Sequence, residues 1–173
     1  MKPILLLSIL SFFMLCGCQK PVENKSAIKV AVSFSEALNA GSLDGRLLLM
    51  FAKNDETEPR FQINEGLKSQ EIFGLNVEGM TAGQQINFDE NVFGFPLPSL
   101  SDLEQGDYYV QALLHVYETF NLASGQTVKL PMDNGEGQKW NLSPGNIYSK
   151  PFKITVGENG IEDLVVVMDQ IIP

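Results

Sequence analysis

The sequence contains few of the residues that enzymes and metalloproteins use at reactive centres: 173 residues include two cysteines and one histidine, His115. Zinc sites need three or four ligands drawn from histidine, cysteine and carboxylates, so this composition disfavours zinc. Basic residues are also scarce, with 12 lysines and arginines against 21 aspartates and glutamates and a net charge of −9. Because phosphate backbones require a positive field, nucleic acid is excluded as the expected partner.

Catalytic signatures are missing as well. The phosphate-loop motif and the nucleophile elbow Gly-x-Ser-x-Gly do not occur, and the segment Gly41–Gly45 has the wrong spacing for the elbow. If Ser42 were a nucleophile, His115 would have to be its base, and nothing in the sequence marks that pairing. We therefore predict no catalytic residue, no metal ligand and no cofactor for this chain.

The longest apolar run lies at the N-terminus. Lys2 precedes a mostly apolar stretch from Ile4 to Leu15, which matches a secretory signal. The stretch is shorter than the ~20 residues of a membrane-spanning helix. The following Cys16-Gly17-Cys18 resembles the bacterial lipobox, in which a cysteine after a small residue becomes the lipidated N-terminus. Cys18 is the predicted lipidation site because Gly17 precedes it. An ordinary signal peptide with incidental cysteines is the alternative.

These features predict a lipoprotein signal peptide at residues 1–17, a flexible polar tether at 18–26 and one β-domain at 27–173. Both cysteines lie in the leader region, so no disulfide is expected in the domain. The residue after Cys18 is Gln19 rather than aspartate, which favours the outer over the inner membrane under the sorting rule of enteric bacteria. We expect an envelope protein, periplasmic or surface-exposed, that contacts the membrane through the lipid on Cys18.

Alternation of apolar and polar residues dominates the domain. Ile28–Phe34 predicts a half-buried strand, and the apolar run Arg46–Ala52 predicts a strand buried on both faces, after a loop at Leu38–Gly45. The clearest strand is Asp107–Phe120, with every second residue from Tyr108 to Val116 on one face. Further strands are predicted at Arg60–Ile63, Ile72–Val77, Gln84–Phe88, Thr127–Leu130, Ile147–Val156 (at an edge or broken at Pro151) and Leu164–Met168.

About eight short strands separated by turn residues predict an all-β fold, an antiparallel β-sandwich of the immunoglobulin-like or fibronectin-like type. The segment Leu103–Tyr108 resembles the entry to strand F of such sandwiches, where a tyrosine hydroxyl bonds to the preceding corner. Tyr108 is the predicted corner tyrosine. Glu158-Asn159-Gly160 contains the Asn-Gly pair of a tight hairpin turn.

The segment Leu130–Pro151 is long for a loop in a sandwich, and long loops are often functional. It contains the only tryptophan, Trp140, and also Tyr148. Trp140 either stacks on a ligand or packs against the end of the sandwich, and we favour packing. The oxygen-rich run with Asp133 and Glu136 suggests a calcium loop, but ordinary turn chemistry explains it equally well. Trp140, Tyr148, Asp133 and Glu136 are the candidate binding residues.

Several segments of the domain resemble the N-terminal module of secreted bacterial esterase-like proteins, which carry an α/β-hydrolase-type domain further along. The resemblance covers about Leu43–Val156. It rests on Asp44–Leu49, Glu58–Phe61, Phe95–Leu97, Gly106–Ala112, Lys129–Asp133, Gly135–Gln138, Trp140–Asn141 and Ser143–Ser149. The resemblance implies that the esterase nucleophile and its histidine lie in the downstream domain, so no catalytic residue is carried over. Asn134 replaces an expected basic residue, and Asp169–Pro173 looks like the approach to a linker.

We therefore expect an envelope-anchored lipoprotein whose domain is a non-catalytic accessory or interaction module with a protein or glycan partner. Two alternatives stay open. The chain is an N-terminal fragment of a secreted esterase or hydrolase, or it is a carbohydrate-binding surface lipoprotein that uses Trp140 and Tyr148.

Overall fold

The computed structural model of the protein describes residues 27–38, 41–66, 68–133, 135, 137 and 139–173. The predicted signal peptide, the tether and Cys18 lie outside the described residues, and so do Asn134 and Glu136. In the described part of the chain, no helix is both long and apolar enough to cross a membrane.

The described residues form strands joined by turns, with two short 3-10 turns at Pro59–Phe61 and Leu100–Asp102. The strands are β1 (Ala27–Phe34), β2 (Leu43–Ala52), β3 (Glu71–Met80), β4 (Ile86–Phe88), β5 (Gly94–Phe95), β6 (Gly106–Asn121), β7 (Thr127–Pro131), β8 (Ile147–Tyr148), β9 (Phe152–Val156), β10 (Gly160–Met168) and β11 (Gln170–Ile171). The predicted all-β class is confirmed.

Two sheets pack into a sandwich. The small sheet has the order β10-β1-β4, and the large sheet has the order β11-β8-β6-β2-β3-β5, with β7 and β9 also paired to β6. All pairs are antiparallel except β1 with β10, which is parallel. The prediction of a purely antiparallel sandwich is therefore wrong for this pair. Residue alternation reports which face a side chain takes, but it carries no information on strand direction.

The core between the sheets collects the inward-facing residues of both. Val32 of β1, Leu49 of β2 and Phe73 of β3 are each fully buried there. Tyr108, at the start of β6, is 1% exposed, and its hydroxyl donates a hydrogen bond of 3.0 Å to the carbonyl oxygen of Glu104. This confirms the predicted corner tyrosine and the predicted facing of β6.

A tight turn is present at residues 158–160 as predicted, but it is not a hairpin turn, because β9 and β10 belong to different sheets. The backbone N–H of Gly160 donates to the carbonyl of Gly157 over 3.1 Å, so the chain reverses tightly between β9 and β10. Gly160 has a φ of 84°, a left-handed conformation that glycine adopts without strain. The stretch Ile147–Val156 is divided at Pro151, because β8 ends at Tyr148 and β9 begins at Phe152.

Three local predictions are wrong. Arg60–Ile63 is not a strand, because Pro59 has the fixed φ suited to a first helical position and starts the 3-10 turn. The predicted loop Leu38–Gly45 ends early, since β2 already begins at Leu43. The segment Asp169–Pro173 is part of the fold rather than the approach to a linker: β11 pairs with β8, and Ile172 is only 7% exposed.

Candidate functional site

The outer face of the large sheet is divided into two halves. In the covered half, the buried side chains of Leu48, Met50, Leu113 and Ile172 lie beneath the segments that follow β2 and β7. In the open half, nearer the start of β2, polar side chains lie on the exposed sheet surface. The open half consists of Asp44, Arg46, Asn76, Glu78, His115, Tyr117 and Lys129.

Trp140 belongs to the covered half. Its side chain packs against the cluster around Leu48 and Met50, on the outer face of the large sheet rather than at the end of the sandwich, and it is half-buried, less than expected. Asn146 fixes this loop to β6. Its side-chain Nδ2 donates to the carbonyl of Trp140 over 2.7 Å, and its Oδ1 accepts from the backbone N–H of Val116 over 2.9 Å. Trp140 therefore holds the loop in place.

Tyr148 lies in the same half beneath the guanidinium of Arg60, whose Cζ is 4.2 Å from the ring centroid. Arg60 is 8% exposed, and its Nε donates to Glu58 Oε2 over 2.9 Å. Its Nη1 donates to the carbonyl of Asn141 over 3.1 Å. The fully buried Gln111 donates to the same Glu58 oxygen over 2.7 Å and accepts from the Arg60 backbone N–H over 3.0 Å. This network ties the turn at Pro59–Phe61 and the long loop to β6.

Asp133 caps a turn. Its Oδ1 accepts from the backbone N–H groups of Gly135, over 2.9 Å, and Gly137, over 3.2 Å. Glu136 lies outside the described residues, so the interpretation of this run as a calcium loop stays untested beside the turn that Asp133 forms. Among the residues that the structure describes, no group of three or more histidine, cysteine, aspartate or glutamate side chains could hold a metal ion.

In the open half, three polar residues stand side by side on neighbouring strands. Arg46 of β2 is in register with Asn76 of β3 on one side and with His115 of β6 on the other. The Nη1 of Arg46 donates to Asn76 Oδ1 over 3.1 Å. The ring of Tyr117 meets His115 edge-on, with centroids 5.6 Å apart and an interplanar angle of 78°. His115 is therefore a half-buried cross-strand residue.

Lys129 of β7 lies near this row, with its Nζ 3.0 Å from Asp44 Oδ2 and 3.6 Å from Glu78 Oε2. A backbone hydrogen bond from Gly79 and the neighbouring Lys129 ammonium lower the pKa of Asp44, while the hydrogen bond to Asp44 raises the pKa of Lys129. Asp44 and Lys129 are thus charged at neutral pH. They border a hollow of about 130 Å³, which Tyr117 and Asn76 also line.

A second hollow, also of about 130 Å³, lies on the other side of Arg46. Phe93 and Phe95 border it and are 70% and 40% exposed. Gly74 forms part of its floor, and a Cβ at this position would lie 2.9 Å from Leu48 Cδ2 and 3.0 Å from Arg46 Nε. Only glycine lets the Arg46 side chain lie this close to β3.

Sequence reasoning did not identify the open half. Arg46 was included in a run interpreted as buried on both faces, and Lys129 was only part of a predicted strand. The available signal was the alternation of Asp44 and Arg46 on one side of the β2 region, followed by apolar Leu48 and Met50. It indicates a strand whose outer face is polar at one end and covered at the other.

Comparisons with protein-family models, with curated proteins and with solved structures give no match to this chain.

Proposed function

We propose that this protein is a lipid-anchored, non-catalytic binding module of the cell envelope, attached through Cys18, and related in role to the N-terminal module of esterase-like proteins. The immunoglobulin-like type of the sandwich is part of this proposal. The corner formed by Tyr108 and Glu104 supports it. The parallel pair of β1 and β10 is a departure from the antiparallel pattern expected for that type.

The division of the outer sheet face is the observation that carries the binding role. Trp140 packs against the covered half and Arg60 covers the ring of Tyr148, so both rings are already engaged in packing and each is only half-exposed to a sugar. The open half instead presents polar side chains held by hydrogen bonds and ion pairs, with Arg46 on β2 and Lys129 on β7. Small-molecule sites combine a mostly apolar concave surface with a few placed polar groups, and the hollow beside Arg46 has this composition on a small scale. We therefore assign binding to the open half.

The position of β1, the first described strand, fits this assignment. β1 begins at Ala27 beside Gly160, and the turn before Gly160 follows Val156, which pairs with Gly106 at the start of β6. Tyr117 lies eleven residues further along β6, about 35 Å away at the usual strand rise. A tether entering at Ala27 would therefore leave the open half at the end of the domain away from the membrane.

Membrane fractionation of Cys18→Ala tests the anchor. We expect this variant to lose incorporation of radiolabelled palmitate and to move to the soluble fraction, whereas the control Cys16→Ala behaves like the wild type. Palmitate incorporation by Cys18→Ala would contradict the assignment of the lipidation site.

An esterase assay tests the non-catalytic role against the hydrolase alternative. The purified chain from residue 19 onward should not hydrolyse short-chain nitrophenyl esters above background. Ester turnover that survives purification and is abolished by Ser42→Ala or His115→Ala would establish the hydrolase alternative instead.

A further inference from the structure

We propose that the open half binds a carboxylate that carries an apolar or aromatic group, with the carboxylate on Arg46 and the apolar group in the hollow beside Phe93. This inference rests on the proposed binding role and names the ligand class for that surface. Neither the resemblance to esterase-like proteins nor the candidate residues at Trp140 and Asp133 point to it.

The anion-binding group is Arg46. A guanidinium has five N–H donors in a planar fork that matches a carboxylate. Within the described part of the chain, the Arg46 guanidinium donates to one side chain, Asn76, and has no ion pair with a carboxylate. Its remaining donors lie along the edge of the hollow that Phe93 and Phe95 border. An incoming carboxylate can therefore form a paired, charge-assisted contact there.

The second arginine of the sequence, Arg60, shows what a structural arginine looks like in the same protein. It is 8% exposed, forms an ion pair with Glu58, donates to the carbonyl of Asn141 and stacks on Tyr148. Arg46 has none of these contacts. Its guanidinium donates to the side-chain oxygen of Asn76, and the residue is half-buried at the surface. The comparison assigns a fold-stabilising role to Arg60 and leaves Arg46 available to a ligand.

The apolar part of the ligand has a matching surface. The hollow beside Arg46 measures about 130 Å³ and is open to solvent, so it would enclose an aromatic ring only in part. The hollow lies at the border of the covered half, where Leu48 and Ile72 form apolar walls. Phe93, at 70% exposure, contributes a large ring that a ligand would cover. The backbone fixes Phe93, because its carbonyl accepts from the N–H of Gly74 over 3.1 Å.

The two carboxylates of the open half balance Arg46 and Lys129 in formal charge, but neither carboxylate forms an ion pair with Arg46. The carboxylates of the open half are Asp44 and Glu78, and both lie within ion-pair distance of Lys129. The protein as a whole is acidic, with a net charge of −9, so a cation without a carboxylate partner is a locally distinct feature of this surface.

Chemical-shift titration of the mature chain with Cys18 replaced by alanine tests the proposal. The probes are phenylacetate, its uncharged counterpart phenylacetamide, acetate, and a short peptide that ends in phenylalanine with either a free or an amidated C-terminus. We expect phenylacetate or the free-acid peptide to shift the amides of Gly74, Asn76 and Phe93, and the uncharged or ring-less counterparts to bind at least tenfold more weakly. Tighter binding of phenylacetate would identify the ligand as a small acid, and tighter binding of the free-acid peptide would identify it as a chain terminus.

Three variants locate the site. Arg46→Gln should weaken binding at least tenfold, and Phe93→Ala, a change at an exposed ring that the fold does not need, should weaken it at least threefold. Lys29→Gln removes the same charge from β1 in the other sheet and should leave the affinity unchanged.

The proposal is overturned if no probe binds, if phenylacetamide binds as well as phenylacetate, or if Arg46→Gln retains the wild-type affinity. These results would leave the anchored, non-catalytic module intact, because that proposal fails instead on palmitate incorporation or on ester turnover.

Discussion

Tyr108→Phe is the sharpest test of how the sandwich is closed at the start of β6. The substitution removes one hydroxyl and keeps the ring, which meets Phe51 edge-on at 6.0 Å in the core. What is lost is the hydrogen bond of 3.0 Å to the carbonyl of Glu104. A hydrogen bond of this kind contributes about 0.5–1.5 kcal/mol net, and an acceptor left buried and unpaired costs about 1–3 kcal/mol.

The value for Tyr108→Phe should lie near the lower part of that range. Glu104 is exposed, so water can reach its carbonyl once the hydroxyl is gone. We expect a loss of about 1 kcal/mol in the free energy of unfolding, measured by urea denaturation with an unchanged m-value.

Tyr109→Phe is the matched control, because the next residue faces the outer surface and its hydroxyl meets Asp55, which raises the pKa of Tyr109. Its loss should be distinctly smaller. Equal losses for the two variants would refute the assignment of Tyr108 as the corner residue.

Other predictions concern the long loop and the loss of stability at low pH. Trp140→Ala should destabilise the domain by about 2–3 kcal/mol, less than a fully buried aromatic, because the side chain is half-buried; free-tryptophan-like emission from the folded protein would contradict this. Asn146→Ala should cost about 2–3 kcal/mol in thermal unfolding, since it leaves the Val116 N–H and the Trp140 carbonyl without a partner. A hydrogen bond from Lys153 lowers the pKa of Asp107, so this carboxylate stabilises the fold above about pH 4 and loses that effect as the pH falls through its lowered pKa. Asp107→Asn should therefore reduce the dependence of stability on pH below about pH 4. An unchanged loss of stability at low pH would contradict the role assigned to Asp107.

The alternation of residues predicted most strands because each strand packs one face on a single core. Ile28–Phe34 and Asp107–Phe120 were placed correctly for this reason, and so was the inward facing of Tyr108. Local turn chemistry was equally informative at Gly160 and Pro151. These features depend on residues close in sequence, which a single chain reveals directly.

The elements that were missed depend on partners far away in the sequence. The short strand β11 contains two residues and exists because β8 offers it a pairing edge. Arg60 is buried only because Glu58, Gln111 and the loop around Asn141 surround it, and Gln111 is 51 residues away. The open half was missed for the same reason, since Arg46, Asn76 and His115 meet only through strand register.

The central claim is that the covered half of the outer sheet face maintains the fold and the open half binds a ligand. Thermal unfolding of two matched variants, Arg60→Gln and Arg46→Gln, tests it most directly. Arg60→Gln loses an ion pair, a hydrogen bond and a stacking contact at a buried site, so we predict a loss of about 2–3 kcal/mol and a melting temperature lower by roughly 5–10 °C. Arg46→Gln should shift the melting temperature by no more than about 2 °C, as most surface substitutions do. Equal destabilisation by the two variants would show that Arg46 also serves the fold, and it would contradict the account.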